Sequence, residues 1–374
     1  MKEESPKSAV LFERGSFEVG VVKEPNMQIM SLLNDMTVGS KGAQYLHKDI
    51  DKRMLQLSNK YIMYMTQGDS IMGTYTAALR TTKEDFGEVN AYYIRYFTFL
   101  DTVQAAKSNR PKAGKPQGVL KKMVKRFLSE CPATFGVDHG ESVDAPSFYY
   151  AFFDAENYRS TDLSQLLGMN PVGEFDTFAF SRLHPKKQKS VELLDKVHYK
   201  AMKEKLAEFY AGFSVYTDQF LLLEDNYFVW RENGEVVAGV QPNKCNWELK
   251  NMSGLSGAFL LHVLPYFPLV NRYFNPKKFE FLTFDYMYVK SGHEDKLELL
   301  MESLLNKYKV TFSLIWQDLK SSLHPVVSNM DFGFLSKFSN VPTGKIMMTT
   351  NRVSPSQLED ITKKPVFTCG LDMS

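Results

Sequence analysis

The sequence has few cysteines, and their placement excludes two common classes of protein. Its 374 residues include three cysteines, Cys131, Cys245 and Cys369, far apart along the chain. Such an odd and widely separated set gives neither a disulfide framework nor the paired spacing of a zinc site. Sparse cysteine favours a reducing compartment, and residues 1–8 lack the apolar core of a secretory signal, so we predict a cytoplasmic location.

Long apolar runs and an excess of charge of one sign are also missing. The most apolar stretch, residues 257–270, is interrupted by Pro265 and Pro268. Because a membrane-spanning helix needs about 20 apolar residues, we interpret this stretch as buried core or a domain interface. The formal net charge of +2 creates no overall field toward nucleic acid or anionic lipid. We therefore predict neither a membrane span nor a nucleic-acid partner.

Several catalytic motifs are absent from the sequence. It has no G-x-x-x-x-G-K-[ST] phosphate loop, no G-x-G-x-x-G after a strand and no H-E-x-x-H metal motif. It also lacks the G-x-S-x-G elbow of many serine hydrolases. These absences argue against a phosphate-loop nucleotidase, a dinucleotide-binding fold and a metal-dependent enzyme, and we predict no metal cofactor.

The sequence does contain a repeated pattern of strands and helices. Its length and its 44% hydrophobic content fit two globular domains of about 100–200 residues each. Long aromatic strands are predicted at 89–100 and 279–289, and each precedes an amphipathic helix, at 119–128 and 296–307. Two similar units about 190 residues apart indicate an internal duplication.

This pattern divides the chain into three predicted parts. Residues 1–185 form an N-terminal domain, and residues 219–374 form a C-terminal domain. Residues 186–218 form a helical connector, with a helix predicted over 191–210. Residues 27–57 are also predicted to be helical, with a break near two glycines.

A basic loop that contains glycine precedes the first amphipathic helix. From Lys107 to Arg126 there are eight basic residues and no acidic one, with glycines at 114 and 118. Free N–H groups at the start of a helix can bind phosphate, glycine allows close approach, and basic side chains supply countercharge. The loop therefore predicts a site for a polyphosphate or nucleotide-tailed cofactor. A solvated loop followed by a helix with a basic face is the alternative interpretation.

Two segments of the first half resemble motifs of the GCN5-related N-acetyltransferase (GNAT) superfamily. The run from Asn157 to Met169, NYRSTDLSQLLGM, is similar to that family's N-x-x-A-x-x-L-Y-x-x-L-G-F ending. The run from Pro111 to Pro116, PKAGKP, is similar to its cofactor loop, [QR]-x-x-G-x-[GA]. The order of predicted strands and helices also looks like that of the family.

The resemblance implies both a fold and a co-substrate. It extends over residues 15–182, and residues 220–350 look like a degenerate copy. It implies a mixed α/β (α+β) fold of two tandem GNAT-like domains, each a mostly antiparallel central sheet flanked by helices. In the family the loop binds acetyl-CoA or another acyl-CoA, and the end of the long strand pairs with its pantetheine arm. The matching cofactor-binding positions are Leu100, Thr102, Val103, Arg110, Ala113, Gly114, Lys115, Gln117, Gly118, Val119 and Asn157.

Departures from the family pattern affect the expected site. Pro111 stands where the family prefers glutamine or arginine, and Pro116 lacks an N–H donor. Ser164 falls where the family often has a general-acid tyrosine, and serine is a shorter and poorer acid. In the second half the loop position contains Glu294 and Asp295. Their charges would repel a pyrophosphate, so we predict that this half does not bind CoA.

Acyl transfer also needs a base that takes a proton from the amine. In the family layout Asp101, at the end of the long strand, lies nearest the thioester, and Glu88 precedes that strand. We therefore name Asp101, Glu88 and Ser164 as catalytic candidates. Each has a structural alternative, which is a turn residue at Asp101, a solvated charge at Glu88 and a packing residue at Ser164. Asn157 is also compatible with a helix N-cap.

The resemblance implies an N-acyltransferase that transfers an acetyl or longer acyl group from acyl-CoA to an amine. The acceptor, a small molecule or a peptide, and the oligomeric state stay open. Tandem units of this kind also occur in transferases that take aminoacyl groups from transfer RNA, which the low net charge disfavours. A non-catalytic CoA-binding or scaffold protein is the other alternative, favoured by the prolines of the loop and disfavoured by its basic residues.

Overall fold

The computed structural model describes residues 7–39, 43–99, 117–154, 157–252, 257, 261, 274–333 and 341–374. The strands are β1 (Ser8–Arg14), β2 (Phe17–Val22), β3 (Thr37–Val38), β4 (Ala43–His47), β5 (Lys60–Gln67), β6 (Ser70–Glu84), β7 (Gly87–Phe99), β8 (Ser147–Asp154), β9 (Asn170–Ser181), β10 (Val191–Leu193), β11 (Phe228–Glu232), β12 (Glu235–Met252), β13 (Phe279–Val289), β14 (Phe312–Asp318) and β15 (Thr343–Asn351). The helices are α1 (Met27–Asn34), α2 (Ile50–Gln56), α3 (Gln117–Phe127), α4 (Tyr158–Leu166), α5 (Tyr199–Phe209), α6 (Glu294–Tyr308), α7 (Leu323–Ser328), α8 (Pro355–Lys363) and α9 (Gly370–Met373).

The strands form one continuous sheet. Its order is β1-β2-β5-β6-β7-β8-β15-β9-β14-β13-β12-β11-β10, and β4, which pairs with β3, joins it along β12. Within the described strands, only the pairs β7–β8 and β13–β14 run parallel, and the other neighbours are antiparallel. The predicted fold class, a mixed α/β protein with a mostly antiparallel sheet flanked by helices, is confirmed.

The two halves of the chain share strands within this sheet. β15, from the second half, lies between β8 and β9 of the first half and is antiparallel to both. β4, from the first half, extends β12, with His47 opposite Trp247. The predicted boundaries near residues 185 and 219 therefore fall within one continuous sheet, and they stay predictions.

Two helix predictions are wrong in part. Residues 27–57 contain α1 and α2, but strands β3 and β4 lie between them. Pairing of β4 with β12, about 200 residues away in sequence, overrides the local helical pattern. The helix predicted over 191–210 is shortened to α5, because Val191–Leu193 pair with β11 as strand β10.

Apolar side chains fill both faces of the sheet. Tyr92 and Tyr93, successive residues of β7, belong to different core clusters, as expected when alternate side chains of a strand point to opposite faces. Helix α3 packs Phe127 against Tyr75 on the Tyr92 side, and α6 places Leu300 in the cluster of Tyr93. In the described part of the chain, no helix is both long enough and apolar enough to cross a membrane.

The segment that resembles the GNAT ending folds as a helix with well-defined ends. The Asn157 side-chain oxygen accepts a hydrogen bond from the Ser160 N–H at 3.1 Å and so satisfies a free donor of the first turn of α4. Gly168 follows the helix with φ +99°, a conformation that glycine adopts without steric cost. The sequence motif therefore encodes both the start and the end of this helix.

Candidate functional site

The candidate site begins where β7 and β8 separate. These strands pair in parallel from Asn90 opposite Ser147 to Tyr93 opposite Tyr150. Beyond that pair, β7 continues to pair with β6 and β8 continues to pair with β15, each on its other side. The edge of β7 that faces β8 therefore has backbone groups with no partner among the described strands. An opening of this kind can bind an extended ligand through main-chain hydrogen bonds.

A β-bulge in β7 lies in this opening. The register with β6 shifts between Thr74 and Thr76, so that Tyr96 and Phe97 on β7 lie opposite a single β6 residue, Tyr75. Tyr96 has φ +55°, in the left-handed region that few residues other than glycine occupy. Bulges commonly redirect a side chain beside an active site.

The second half repeats this geometry 190 positions later. The parallel pairing of β13 with β14 covers only two residue pairs before the strands separate. Tyr286 then has φ +50°, and the register with β12 shifts between Gly239 and Gln241 opposite it. Tyr96 and Tyr286 thus occupy equivalent bulges, as an internal duplication predicts.

Tyr96 belongs to a group of aromatic side chains that both halves contribute, which we call the Tyr96 cluster. It consists of Tyr45 and His47 on β4, Tyr96 on β7 and Trp247 on β12. Tyr45 stacks on Trp247 with ring centroids 3.7 Å apart. His47 packs edge-on against the Tyr96 ring at 6.0 Å. The cluster exists because β4 pairs with β12 beside the bulge.

Buried polar atoms of the cluster have no hydrogen-bond partner among the described residues. They are His47 Nδ1, the Tyr96 hydroxyl and Trp247 Nε1. Each of these residues is less than 10% exposed, with values of 6%, 5% and 7% in that order. A buried polar atom without a partner costs about 1–3 kcal/mol, so such a group points to a bound polar ligand or water.

The two equivalent bulges differ in the hydrogen bonding of their tyrosine hydroxyls. At the second bulge the Tyr286 hydroxyl donates to the Thr217 carbonyl oxygen at 3.1 Å and accepts from the Phe220 N–H at 3.2 Å. At the first bulge the Tyr96 hydroxyl has no described partner. The second bulge is therefore internally satisfied, whereas the first is left with free hydrogen-bonding groups.

Two buried arginines lie near the cluster, and one of them, Arg53, is paired with the Asp49 carboxylate at 3.1 Å. Arg53 of α2 donates to the Cys245 Sγ at 3.0 Å, and the Arg95 guanidinium lies 4.4 Å from the centre of the Tyr96 ring. Burial, together with the charges of Arg95 and Arg53, holds the pKa of His47 well below its ordinary value. The imidazole is therefore neutral at pH 7, and one of its nitrogens can accept a proton.

A buried ion pair lies at the apex of the β7–β8 opening. The Arg80 guanidinium donates to both carboxylate oxygens of Asp372 in α9, and these side chains are 2% and 1% exposed. The Tyr150 hydroxyl accepts from Arg80 at 2.8 Å, and the Tyr93 hydroxyl donates to the Asp372 backbone oxygen at 2.9 Å. Because Tyr93 and Tyr150 form the last parallel pair, the ion pair is fixed to the point where the strands separate.

The structure describes only some of the residues predicted to bind the cofactor or to catalyse the reaction. Leu100, Asp101, Thr102, Val103, Arg110, Ala113, Gly114 and Lys115 lie outside the described residues. Gln117, Gly118 and Val119 form the first turn of α3, directly after the basic loop. No group of three potential metal-binding side chains occurs in the described ranges.

The three remaining candidates are not placed at the bulge by any described contact. The Ser164 hydroxyl donates to the Thr161 carbonyl oxygen at 2.8 Å within its own helix, and Asn157 caps that helix. Glu88 is exposed at the start of β7, and at about 3.3 Å per residue it is roughly 26 Å from Tyr96. Among the described hydrogen bonds and ring contacts, none joins these side chains to the Tyr96 cluster, so their roles stay predictions.

Sequence reasoning did not bring His47, Tyr96 and Trp247 together. The aromatic run in β7 indicated only a strand buried on both faces, and His47 fell in a region predicted to be helical. No local motif specifies that β4 pairs with β12, so the sequence alone has no signal for the cluster. The internal duplication was the one sequence observation that could have led to paired bulges.

Comparison with solved structures shows which proteins share this fold. The chain aligns with Saccharomyces cerevisiae N-myristoyltransferase with bound myristoyl-CoA at a TM-score of 0.55 and 9% identity, over 98% of this chain and 96% of that one. A second structure of that enzyme with bound myristoyl-CoA gives a TM-score of 0.57 and 10% identity, over 96% and 87%. A GCN5-related N-acetyltransferase from Sphaerobacter thermophilus aligns at a lower TM-score of 0.42 and 9% identity, over 77% and 80%.

Neither a protein-family model nor a curated protein matches the chain in sequence. The two N-myristoyltransferase alignments nevertheless extend over nearly the whole chain. The chain therefore shares its overall fold with N-myristoyltransferase.

Proposed function

We propose that this protein is a CoA-dependent N-acyltransferase that transfers an acyl group from acyl-CoA to an amine. The observation that supports this proposal is the Tyr96 cluster, because the Tyr96 bulge lies along a strand opening suited to an extended ligand and the cluster has buried polar atoms with no partner among the described residues. The two N-myristoyltransferase structures of the same fold contain myristoyl-CoA. We therefore propose a long-chain acyl-CoA as the co-substrate, with acetyl-CoA as the shorter alternative.

The side chains of the cluster have the chemistry that acyl transfer needs. The amine nitrogen attacks the thioester carbonyl carbon, the C–N bond forms, the C–S bond breaks, and CoA leaves as a thiolate. Neutral His47 can take the proton of the amine and pass it to the departing sulfur. The Tyr96 O–H and the Trp247 N–H are donors for the oxygen that becomes negative in the tetrahedral intermediate.

The electrostatic surroundings favour a neutral amine. Arg53 and Arg95 place two positive charges close to the cluster. Nearby positive charge and burial both lower the pKa of an amine, and the unprotonated form is the nucleophile. The same charges and burial keep His47 unprotonated and also weaken it as a base, so we propose that it holds the proton only until the departing sulfur takes it.

Residues of the basic loop stay part of the proposal. The loop ends at α3 (Gln117–Phe127), whose first backbone N–H groups are free donors for a phosphate. We propose that Arg110, Gly114 and Lys115 bind the CoA pyrophosphate there. Asp101 follows β7 closely in sequence and stays a second candidate for the base.

Calorimetric titration with myristoyl-CoA, acetyl-CoA and CoA tests the co-substrate. We expect one acyl-CoA per chain, and we expect Gly114→Asp to weaken all three ligands, because it adds a carboxylate to the basic loop. Gly292→Asp, at the corresponding loop position of the second half, is the matched control and should leave the affinity unchanged. Failure of every CoA species to bind would refute the proposal.

A panel of acceptors tests the reaction itself. It contains peptides with a free N-terminal amine, the same peptides with that amine blocked and a lysine present, and small amines, with products read by mass spectrometry and CoA release. Tyr96→Phe should lower kcat by about 10²-fold, the usual effect of losing one oxyanion donor. Tyr75→Phe is the matched control, because the Tyr75 hydroxyl is also buried with no described partner, whereas its ring packs against Phe127 on the other face of the sheet.

The same panel, repeated with aminoacyl-transfer RNA as the donor in place of acyl-CoA, distinguishes the two alternatives. Binding of acyl-CoA without transfer to any amine would favour a non-catalytic CoA-binding protein. Transfer that requires aminoacyl-transfer RNA and not acyl-CoA would favour the RNA-dependent transferases.

A further inference from the structure

Residues 366–374, which we call the bridging segment, lie between the separating strands of the second half. The Thr368 hydroxyl donates to the Trp316 carbonyl oxygen of β14 at 2.8 Å. Gly370 lies so close to β13 that a Cβ atom there would be 2.7 Å from the Thr283 Cβ. Since Thr283 belongs to the last parallel pair of β13 and β14, the segment enters the opening at its apex.

Equivalent residues of the two bulges bind one residue of this segment from opposite sides. Arg95 and Asp285 are each the last paired residue before their bulge, and they are 190 positions apart. Arg95 donates to the Leu371 carbonyl oxygen at 2.8 Å, and Asp285 accepts from the Leu371 N–H at 3.2 Å. Arg95 also donates to the Ser374 backbone oxygen.

Further contacts fix the same segment to both halves. Asp285 also accepts from the Gly370 N–H, and its other oxygen accepts from the Asn243 side-chain amide at 2.6 Å. On the side of the first half, Arg80 binds the Asp372 carboxylate and Tyr93 donates to the Asp372 backbone oxygen. The segment therefore touches the apex of both strand openings within three residues, 370–372.

We propose that residues 370–372 act as an internal ligand of the second opening, and that Asp285 and Asp372 are positioning residues for the Tyr96 bulge of the first. The segment occupies in the second unit the place that an extended ligand is proposed to occupy in the first. Its contacts hold Arg95, the neighbour of Tyr96, in one position. The catalytic part of this inference rests on the proposed function, whereas the closure of the second opening does not.

Asp285→Asn tests the proposal with two separate measurements. Both carboxylate oxygens of Asp285 accept hydrogen bonds from N–H donors. In asparagine one of these oxygens is replaced by an N–H₂ group, which cannot accept, so at least one hydrogen bond to the segment is lost. Hydrogen exchange read by mass spectrometry should become about tenfold faster or more in residues 366–374 and in residues 94–98. Asp176→Asn is the matched control, because this half-buried carboxylate binds His324 and Thr343 and has no described contact with the segment.

Steady-state kinetics provide the second measurement. Asp285→Asn should lower kcat by about 10- to 100-fold, corresponding to one lost hydrogen bond to a charged group. The KM for acyl-CoA should change by less than about twofold, because the loop that is proposed to bind CoA is intact. A purely structural role would instead lower the fraction of folded protein and leave kcat per folded molecule unchanged.

The outcomes separate this inference from the proposed function. If the wild type binds no acyl-CoA, the proposed function fails, and hydrogen exchange still decides whether Asp285 holds the segment. If the wild type is active and Asp285→Asn changes neither exchange nor kcat, the inference is wrong. Binding of two acyl-CoA molecules per chain would also overturn it, because the second opening would then be free. Should Asp285→Asn fail to fold, Asp372→Asn is measured in the same way and judged by the same criteria.

Discussion

Replacing Asp372 with alanine removes one partner of an ion pair from which water is excluded. Arg80 is then left buried; among the described side chains the Tyr150 hydroxyl is its remaining hydrogen-bond partner, and its Nε atom has none. The guanidinium also lies between the rings of Tyr93 and Phe220, 5.0 and 5.1 Å from their centres. It therefore cannot turn toward solvent without disrupting the core.

The expected loss of stability is large because the charge that remains is not compensated. Breaking a buried ion pair by removal of one partner costs about 3–5 kcal/mol, whereas replacing both partners by apolar groups is often close to neutral. We therefore expect Asp372→Ala to lower the free energy of unfolding by about 3–5 kcal/mol. The double variant Arg80→Met, Asp372→Leu should lose less stability than Asp372→Ala alone, because it leaves no buried charge without a partner.

Equilibrium unfolding in urea, followed by circular dichroism at several wavelengths, measures these values. Glu359→Ala is the control, because its ion pair with Lys363 is exposed on α8 and its removal should produce no measurable change. A loss below about 1 kcal/mol in Asp372→Ala, with an unchanged urea dependence, would refute the reasoning that the Arg80 charge is trapped.

Three further predictions concern single side chains. His47→Gln should lower kcat by about 10²-fold or more while acyl-CoA binding is retained, because a neutral imidazole is the proposed proton acceptor; equal rates in single-turnover assays would contradict this role. Burial raises the pKa of Asp285 to about 6, so its native form keeps a proton that the unfolded chain loses near pH 4. The protonated Asp285 side chain therefore contributes stability on the order of 3 kcal/mol below pH 4, and this contribution is lost as the pH rises through about 6. Asp285→Asn should flatten that part of a stability–pH profile measured by urea unfolding. Ser354→Ala removes the capping box with Gln357 at the start of α8 and should cost about 1 kcal/mol, which thermal unfolding would detect.

Features with local causes could be predicted from the sequence. The aromatic strand β7, helix α6 and the Asn157 cap depend on residue spacing and on neighbours close in the chain, and each was found near its predicted position. The internal duplication was also visible in the sequence. In the structure it is seen as two bulges, at Tyr96 and Tyr286, 190 positions apart. The fold class itself was predicted from the resemblance to the GNAT motifs.

Features that depend on distant partners could not be predicted. No residue near His47 in the sequence indicates that His47 will lie opposite Trp247 on the neighbouring strand. Likewise, no residue near Gly370 indicates that Gly370 will lie against Thr283. The Asp372 carboxylate looks like an ordinary polar residue until the fold places Arg80 beside it. The candidate site is built mainly from such long-range contacts, which explains why sequence reasoning pointed to the basic loop, whose role stays a prediction, and missed the cluster.

The position of β15 between β8 and β9 also has a consequence for folding during synthesis. During synthesis, the first half emerges long before residues 343–351, which later fill the gap between two of its strands. Until then β8 has an unpaired edge and β9 lacks both of its neighbours, β15 and β14, and such edges readily pair with other chains. Native pairing over so long a sequence separation is also slow. The nascent first half is therefore a natural substrate for chaperones, and completion of its sheet must wait for the ribosome to deliver β15.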